Sequence, residues 1–263
     1  MALKHDKTQP PAREYEWLLV GGAPRSGTTL LYHLLKAHSA IALKNERDLF
    51  ERLLAAGQGQ VAREYLAVLN DDQIAGLRYL GEKRPEYYEY DLQRHFSSRW
   101  PKIVHLSRRP ADVIGSMLKR AELARQGRDP GWSPHFGVRD AVDIWLRAWR
   151  YAMSNRDQPW FLHIKYEDLI DAPARVLGQV VSHLEISDIS IPPDMIFTPK
   201  SHVLEGEAQR LLSTRLARID NDWHRPLPEL ERDYQSLAPP LLSGMRRLRR
   251  RLLWHWSVRQ QRR

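Results

Sequence analysis

The segment Gly22-Ala-Pro-Arg-Ser-Gly-Thr-Thr29 constrains this chain more than any other stretch. The apolar run Trp17 to Gly22 precedes it and reads as a strand closing in glycines. Behind it, Leu30, Leu31, Leu34 and Leu35 fall at helical spacing, which predicts a helix over 28–38. Strand, glycine-bounded loop and helix start, in that order, form a nest of backbone N–H groups suited to an oxyanion. Gly22 and Gly27 keep the spacing of the G-x-x-x-x-G-K-[ST] phosphate loop, but its lysine position holds Thr28. A cation stands inside the loop instead, at Arg25. No apolar run ending in aspartate accompanies it, so magnesium is not demanded. The ligand this implies is an anion without a γ-phosphate, held by Arg25 and the hydroxyls of Thr28 and Thr29. A turn that binds nothing is the plain alternative; the coincidence of strand, spacing, cation and helix start weighs against it.

The rest of the chain alternates strands and helices. Strands are predicted at Ile41–Leu43, around Tyr79–Lys83, at Lys102–Ser107 and at Trp160–Lys165. Helical patterns fall at roughly 46–56, 61–69 and 86–95, from Pro110 to about Ala124, and over about 174–184. Val138, Val142, Trp145, Trp149 and Ala152 mark one face of a long helix, so both tryptophans read as core. Three glycines and two prolines between Gly127 and Gly137 predict a loop. Such alternation argues for a mostly parallel sheet covered on both faces. His33, His38 and His105 read as helix-face or strand residues, and His95, His135, His202 and His224 have no metal-ligand spacing.

Three motifs resemble the sulfotransferases that use 3′-phosphoadenosine-5′-phosphosulfate (PAPS). Pro24-Arg-Ser-Gly-Thr-Thr29 is similar to the loop that holds the 5′-phosphosulfate, which implies donor contacts from Pro24, Arg25, Ser26, Gly27, Thr28 and Thr29. Ile103-Val-His-Leu-Ser-Arg108 followed by Ser116 resembles the family's strand, arginine and helix serine. By that resemblance Arg108 and Ser116 hold the 3′-phosphate. A guanidinium fork and a helix hydroxyl suit phosphate oxygens on physical grounds as well. Tyr166-Glu-Asp-Leu169 is similar to a segment whose tyrosine lies near the adenine. Ser201–Arg210 and Asp220–Trp223 faintly resemble the segment that closes over the cofactor, which makes His202 and Arg210 further candidates. The fold this implies is α/β, a P-loop NTPase-like three-layer sandwich with a mostly parallel central sheet flanked by helices. The resemblance spans about 17–225 and lies closer to the glycan and bacterial type than to the cytosolic aryl type.

The activity implied is in-line transfer of the sulfuryl group to a hydroxyl, releasing the 3′,5′-diphosphate PAP, with no metal required. Such transfer rests on alignment, neutralisation of the leaving group and deprotonation of the acceptor. Arg25 is placed to stabilise the leaving oxygen. No Lys-Thr-His segment supplies a histidine base, whereas Glu46 stands where carbohydrate and tyrosyl-protein relatives carry a glutamate. Glu46 equally suits a helix start or an ion pair with Arg47; Asp48 is the weaker alternative as base. Glu82-Lys83-Arg-Pro-Glu-Tyr87 resembles a glycan-sulfotransferase segment whose lysine faces the reaction centre, against a plain solvent-exposed Lys83.

Charge and composition complete the expectations. Of 41 Lys and Arg, eight arginines lie between Ala238 and Arg263 without an acidic residue, leaving 33 basic against 32 acidic residues elsewhere. The tail reads either as a terminal helix packing Leu248, Leu252 and Trp256 or as a basic amphipathic helix on an anionic membrane surface. Nucleic acid is a poorer fit, because no recognition motif accompanies the charge. No apolar run approaches the roughly 20 residues of a membrane span. The absence of cysteine and of an N-terminal apolar region fits a cytoplasmic protein. The expected layout is a polar arm over 1–14, a sulfotransferase domain over 15–238 and a basic tail over 239–263, with a small-molecule or glycan acceptor lodged by loops at 56–80 and 125–137. A P-loop small-molecule kinase and a non-catalytic nucleotide-binding or membrane-associated protein are the competing classes.

Overall fold

The computed structural model describes residues 15–46, 48–96, 99–187 and 189. In chain order they form β1 (Glu16–Gly22), α1 (Thr28–Lys36), β2 (Ile41–Asn45), α2 (Leu49–Leu66), α3 (Asp71–Gly76), β3 (Tyr79–Lys83), a 3₁₀ turn (Tyr87–Glu89) and α4 (Leu92–His95). There follow β4 (Lys102–Ser107), α5 (Pro110–Arg125), α6 (Val138–Asn155), β5 (Phe161–Lys165), α7 (Tyr166–Asp171) and α8 (Pro173–Leu184). The five strands make one sheet in the order β2-β3-β1-β4-β5, every pair parallel.

Alternation along each strand places the sheet between two apolar layers. Leu18 and Val20 of β1 pack with Val104, Leu106 and Ile164 against Leu31 and Leu35 of α1 and Val180 and Leu184 of α8. Trp17 and Leu19 point the other way, toward Leu53 and Tyr65 of α2, Ile103 and Phe161. α5 and α6 add a third cluster in which the Trp145 and Trp149 rings stack 5.8 Å apart. Leu18, Leu19, Leu31 and Leu35 are wholly buried, each contributing about 2 kcal/mol of transfer free energy. A shared strand polarity then brings Gly22, Asn45, Lys83, Ser107 and Lys165 to one edge of the sheet, at the switch point about β1 where open parallel sheets place their ligands.

The helices differ from the sequence expectation at several points, among them the short α7, which was not expected. The patterns at 46–56 and 61–69 are one helix, α2, broken only at Gly57, whose φ of 75° and ψ of 164° kink it. The pattern at 86–95 is instead a 3₁₀ turn and the single-turn α4, because Glu86 takes a left-handed φ of 62° and Tyr90 is extended. α3 escaped notice: its periodicity is too short, although Asn70 and Gln73 form a capping box at its start. Consequently most of 56–80 is helical rather than loop, whereas 127–137 is loop as expected. His202, Arg210 and the tail over 239–263 lie outside the described residues.

Candidate active site

The loop between β1 and α1 is shaped by glycine and held by its own bonds. Gly27 has φ 97°, and a Cβ there would come 2.3 Å from the Tyr166 ring; no other residue type fits both demands. The Ser26 hydroxyl donates to Ala23 O at 2.7 Å and the Ser26 N–H to the same oxygen at 3.1 Å. No side chain caps α1, so its first-turn N–H groups are left toward the loop as an anion site. Arg25 is a non-glycine residue at φ 74°, and its Nε donates to the Ser116 hydroxyl at 3.0 Å. That contact joins the phosphate loop to the second motif on α5.

The strand ends bring the remaining groups in. Arg108, just beyond β4, is 6% exposed; it lies on the Tyr166 ring at 4.3 Å and donates to Asp112 Oδ2 at 3.2 and 3.3 Å. Its carbonyl accepts from Trp145 Nε1 at 3.0 Å, so the stacked tryptophans brace this arginine. Tyr166 thus sits between the loop glycine and the Arg108 guanidinium. Lys83 ends β3 and is 4% exposed. Its ammonium pairs with the Glu46 carboxylate and reaches Thr29 Oγ1 at 3.4 Å. Glu46 N–H donates to Lys83 O at 3.1 Å, and φ of 52° turns the chain sharply there. Strained backbone at Arg25, Glu46, Asp48 and Glu86 gathers at this one edge.

The structure thus links Arg25 with Ser116, Gly27 and Arg108 with Tyr166, and Lys83 with Glu46 and Thr29, and Glu46 is not at a helix start: Asp48 is the N-cap of α2. Lys83 is buried rather than free in solvent. Three site cations have carboxylate partners (Lys83 with Glu46, Arg108 with Asp112, Arg120 with Asp129), while Arg25 has only a hydroxyl among the described residues. Arg120 and Asp129 were missed by sequence reasoning. Arg120 lies four residues after Ser116 on α5, a spacing that places it on the same face; nothing in the sequence ties Asp129 to it. Burial, then the charges of Arg120 and Arg108, hold the Arg25 guanidinium below its ordinary value. Among the described residues, no group of acidic, histidine or cysteine side chains is arranged to hold a metal.

A loop, helix start and arginine pair at a parallel-sheet edge define an α/β protein with an arrangement suited to an oxyanion. The Sulfotransferase family model matches it over residues 18–100 and 60–190. The chain belongs to that family. A sulfotransferase from Alicyclobacillus acidocaldarius has a similar structure, with 17% identity, TM-score 0.53 and coverage of 89% of this chain and 99% of the other. The sulfotransferase domain from the curacin biosynthetic pathway is similar at 20% identity and TM-score 0.50, over 88% of this chain and all of that domain. These likenesses bear on the fold. No curated protein sequence matches the chain.

Proposed function

We propose that the described site seats PAPS with its 5′-phosphosulfate in the loop Pro24–Thr29 and its 3′-phosphate between Arg108 and Ser116. Tyr166 backs both halves. Arg25 stabilises the leaving phosphate oxygen, helped by the hydroxyls of Thr28 and Thr29 and by the helix start. Glu46 takes the proton of the acceptor hydroxyl as that oxygen bonds to sulfur and the bond from sulfur to the bridging oxygen breaks, leaving PAP. Lys83 orients Glu46 and faces the transferring group. The observation that supports this reading is the meeting of Lys83, Glu46 and Thr29, a cation and a carboxylate beside the first turn of α1. Glu46→Gln should lower turnover by about a hundredfold or more while leaving PAP affinity near wild type. Wild-type turnover would remove Glu46 as the base.

The acceptor is read as a hydroxyl on a carbohydrate, glycolipid or other small molecule, on the strength of the Glu82–Tyr87 motif. The domain is taken to extend over 15–238, between the arm at 1–14 and the tail at 239–263, with Arg210 supplying a further donor contact. A cytoplasmic location suits the absence of cysteine, and among the described residues no helix is long and apolar enough to cross a membrane. The tail's arginines suit an anionic membrane surface. Sedimentation with phosphatidylserine vesicles, with and without residues 239–263, tests that assignment; equal binding by both forms would exclude it.

A further inference from the structure

Arg120 stands one helical turn beyond Ser116 on α5. Both oxygens of Asp129 hold its guanidinium, one of them at 2.8 Å, and the Trp132 ring centroid lies 5.5 Å away. Asp129 and Trp132 belong to the loop that follows α5, tied back by a 3.2 Å bond from Arg125 to Pro134 O. The Arg120 side chain keeps about a third of its surface open to solvent, so an incoming anion can reach it. With Arg25 bonded to Ser116, this puts a cation on the loop side of that hydroxyl and another a turn further along the helix. Arg120 and Arg108 both oppose the Arg25 charge, while Asp129 favours it, so the four groups share one field.

We propose that Arg120 is a donor-binding residue held in reserve by Asp129: a phosphate of the nucleotide takes the guanidinium over from the carboxylate and frees the loop that carries Asp129. Phosphate and carboxylate offer the same paired oxygens to an arginine fork, so the exchange needs no new geometry at Arg120. The charges of Arg108 and Arg120 bear on Arg25 despite their carboxylate partners Asp112 and Asp129, and a polyanion relieves that repulsion further. The inference rests on the assignment of Arg108 and Ser116 to the donor.

Calorimetric titration of PAP into wild type, Arg120→Ala, Asp129→Asn, the double variant and Arg108→Ala tests it, with an unfolding midpoint for each. Arg120→Ala should weaken PAP roughly tenfold. Asp129→Asn should tighten it roughly threefold by removing the competitor, and the double variant should match Arg120→Ala. Arg120→Lys, which keeps charge without the fork, should fall between and serves if the alanine variant does not fold. Unchanged affinity in the Arg120 variants and Asp129→Asn, with Arg108→Ala weakened, would overturn the inference and leave the donor site standing. Weaker binding by Asp129→Asn would also overturn it. Unchanged affinity in Arg108→Ala would show instead that the donor-site assignment had failed.

Discussion

At the residue scale, the site depends on which charges are buried and what partners them. Arg108 is almost wholly enclosed, fixed by Asp112, by the Tyr166 face and through its own carbonyl by Trp145. An arginine so placed presents its fork with little entropy left to lose. Arg108→Ala should weaken PAP by about 2–3 kcal/mol, read as a Kd rise of roughly 30- to 150-fold by calorimetry. Lys83 and Glu46 pose the converse case, a buried ammonium with a half-exposed counter-ion. Besides slowing turnover, Glu46→Gln leaves that ammonium short of its partner and should cost of order 1 kcal/mol of stability.

At the scale of elements, the loop and the strand ends set the geometry. Gly27→Ala places a methyl group against the Tyr166 ring on a left-handed backbone. It should destabilise the fold by about 1–3 kcal/mol and weaken PAP, since the loop must open to fit it. A fall in unfolding midpoint together with weaker PAP binding is the expected pair of readouts. The strands β1, β3 and β4 were legible within a residue of their bounds, because short apolar runs ending in glycine, lysine or arginine have few alternatives. The loop, Arg108 and Ser116 were legible for the same reason: their spacing is local. What lay hidden depends on φ or on distant pairing. The gap between the patterns at 46–56 and 61–69 is a kink at Gly57 within one helix, Glu86 breaks a helix that periodicity favoured, and the Asp129 partnership joins residues that only the folded loop brings together.

At the scale of the whole molecule, His105 and His183 make stability depend on pH. Burial, and then the neighbouring His163, holds His105 well below its usual value, and its Nε2 has no partner among the described residues. Burial, then Lys102, lowers His183 to about 4. The unfolded chain therefore takes up these protons first, below about pH 6.5, while the folded chain resists until far lower. Stability is full above that value and falls as pH drops toward 4, by up to about 1.4 kcal/mol per unit for the enclosed His105 and by less for the partly exposed His183, which solvent screens. Denaturant midpoints at pH 7.5, 6 and 5 should decline in that order, and His183→Gln should flatten part of the decline. A flat profile would mean that neither ring stays neutral.

The common polarity of the five strands has a consequence for how such a protein can change. The sheet's opposite edge takes no part in the site, and the described chemical groups hang from segments that leave the other edge. The 127–137 connection can therefore be exchanged for one of another length without disturbing a strand register. Such an exchange would cost the Arg120–Asp129 partnership and the packing of Trp132 and Phe136 on α5 and α6, while the sheet itself stays intact.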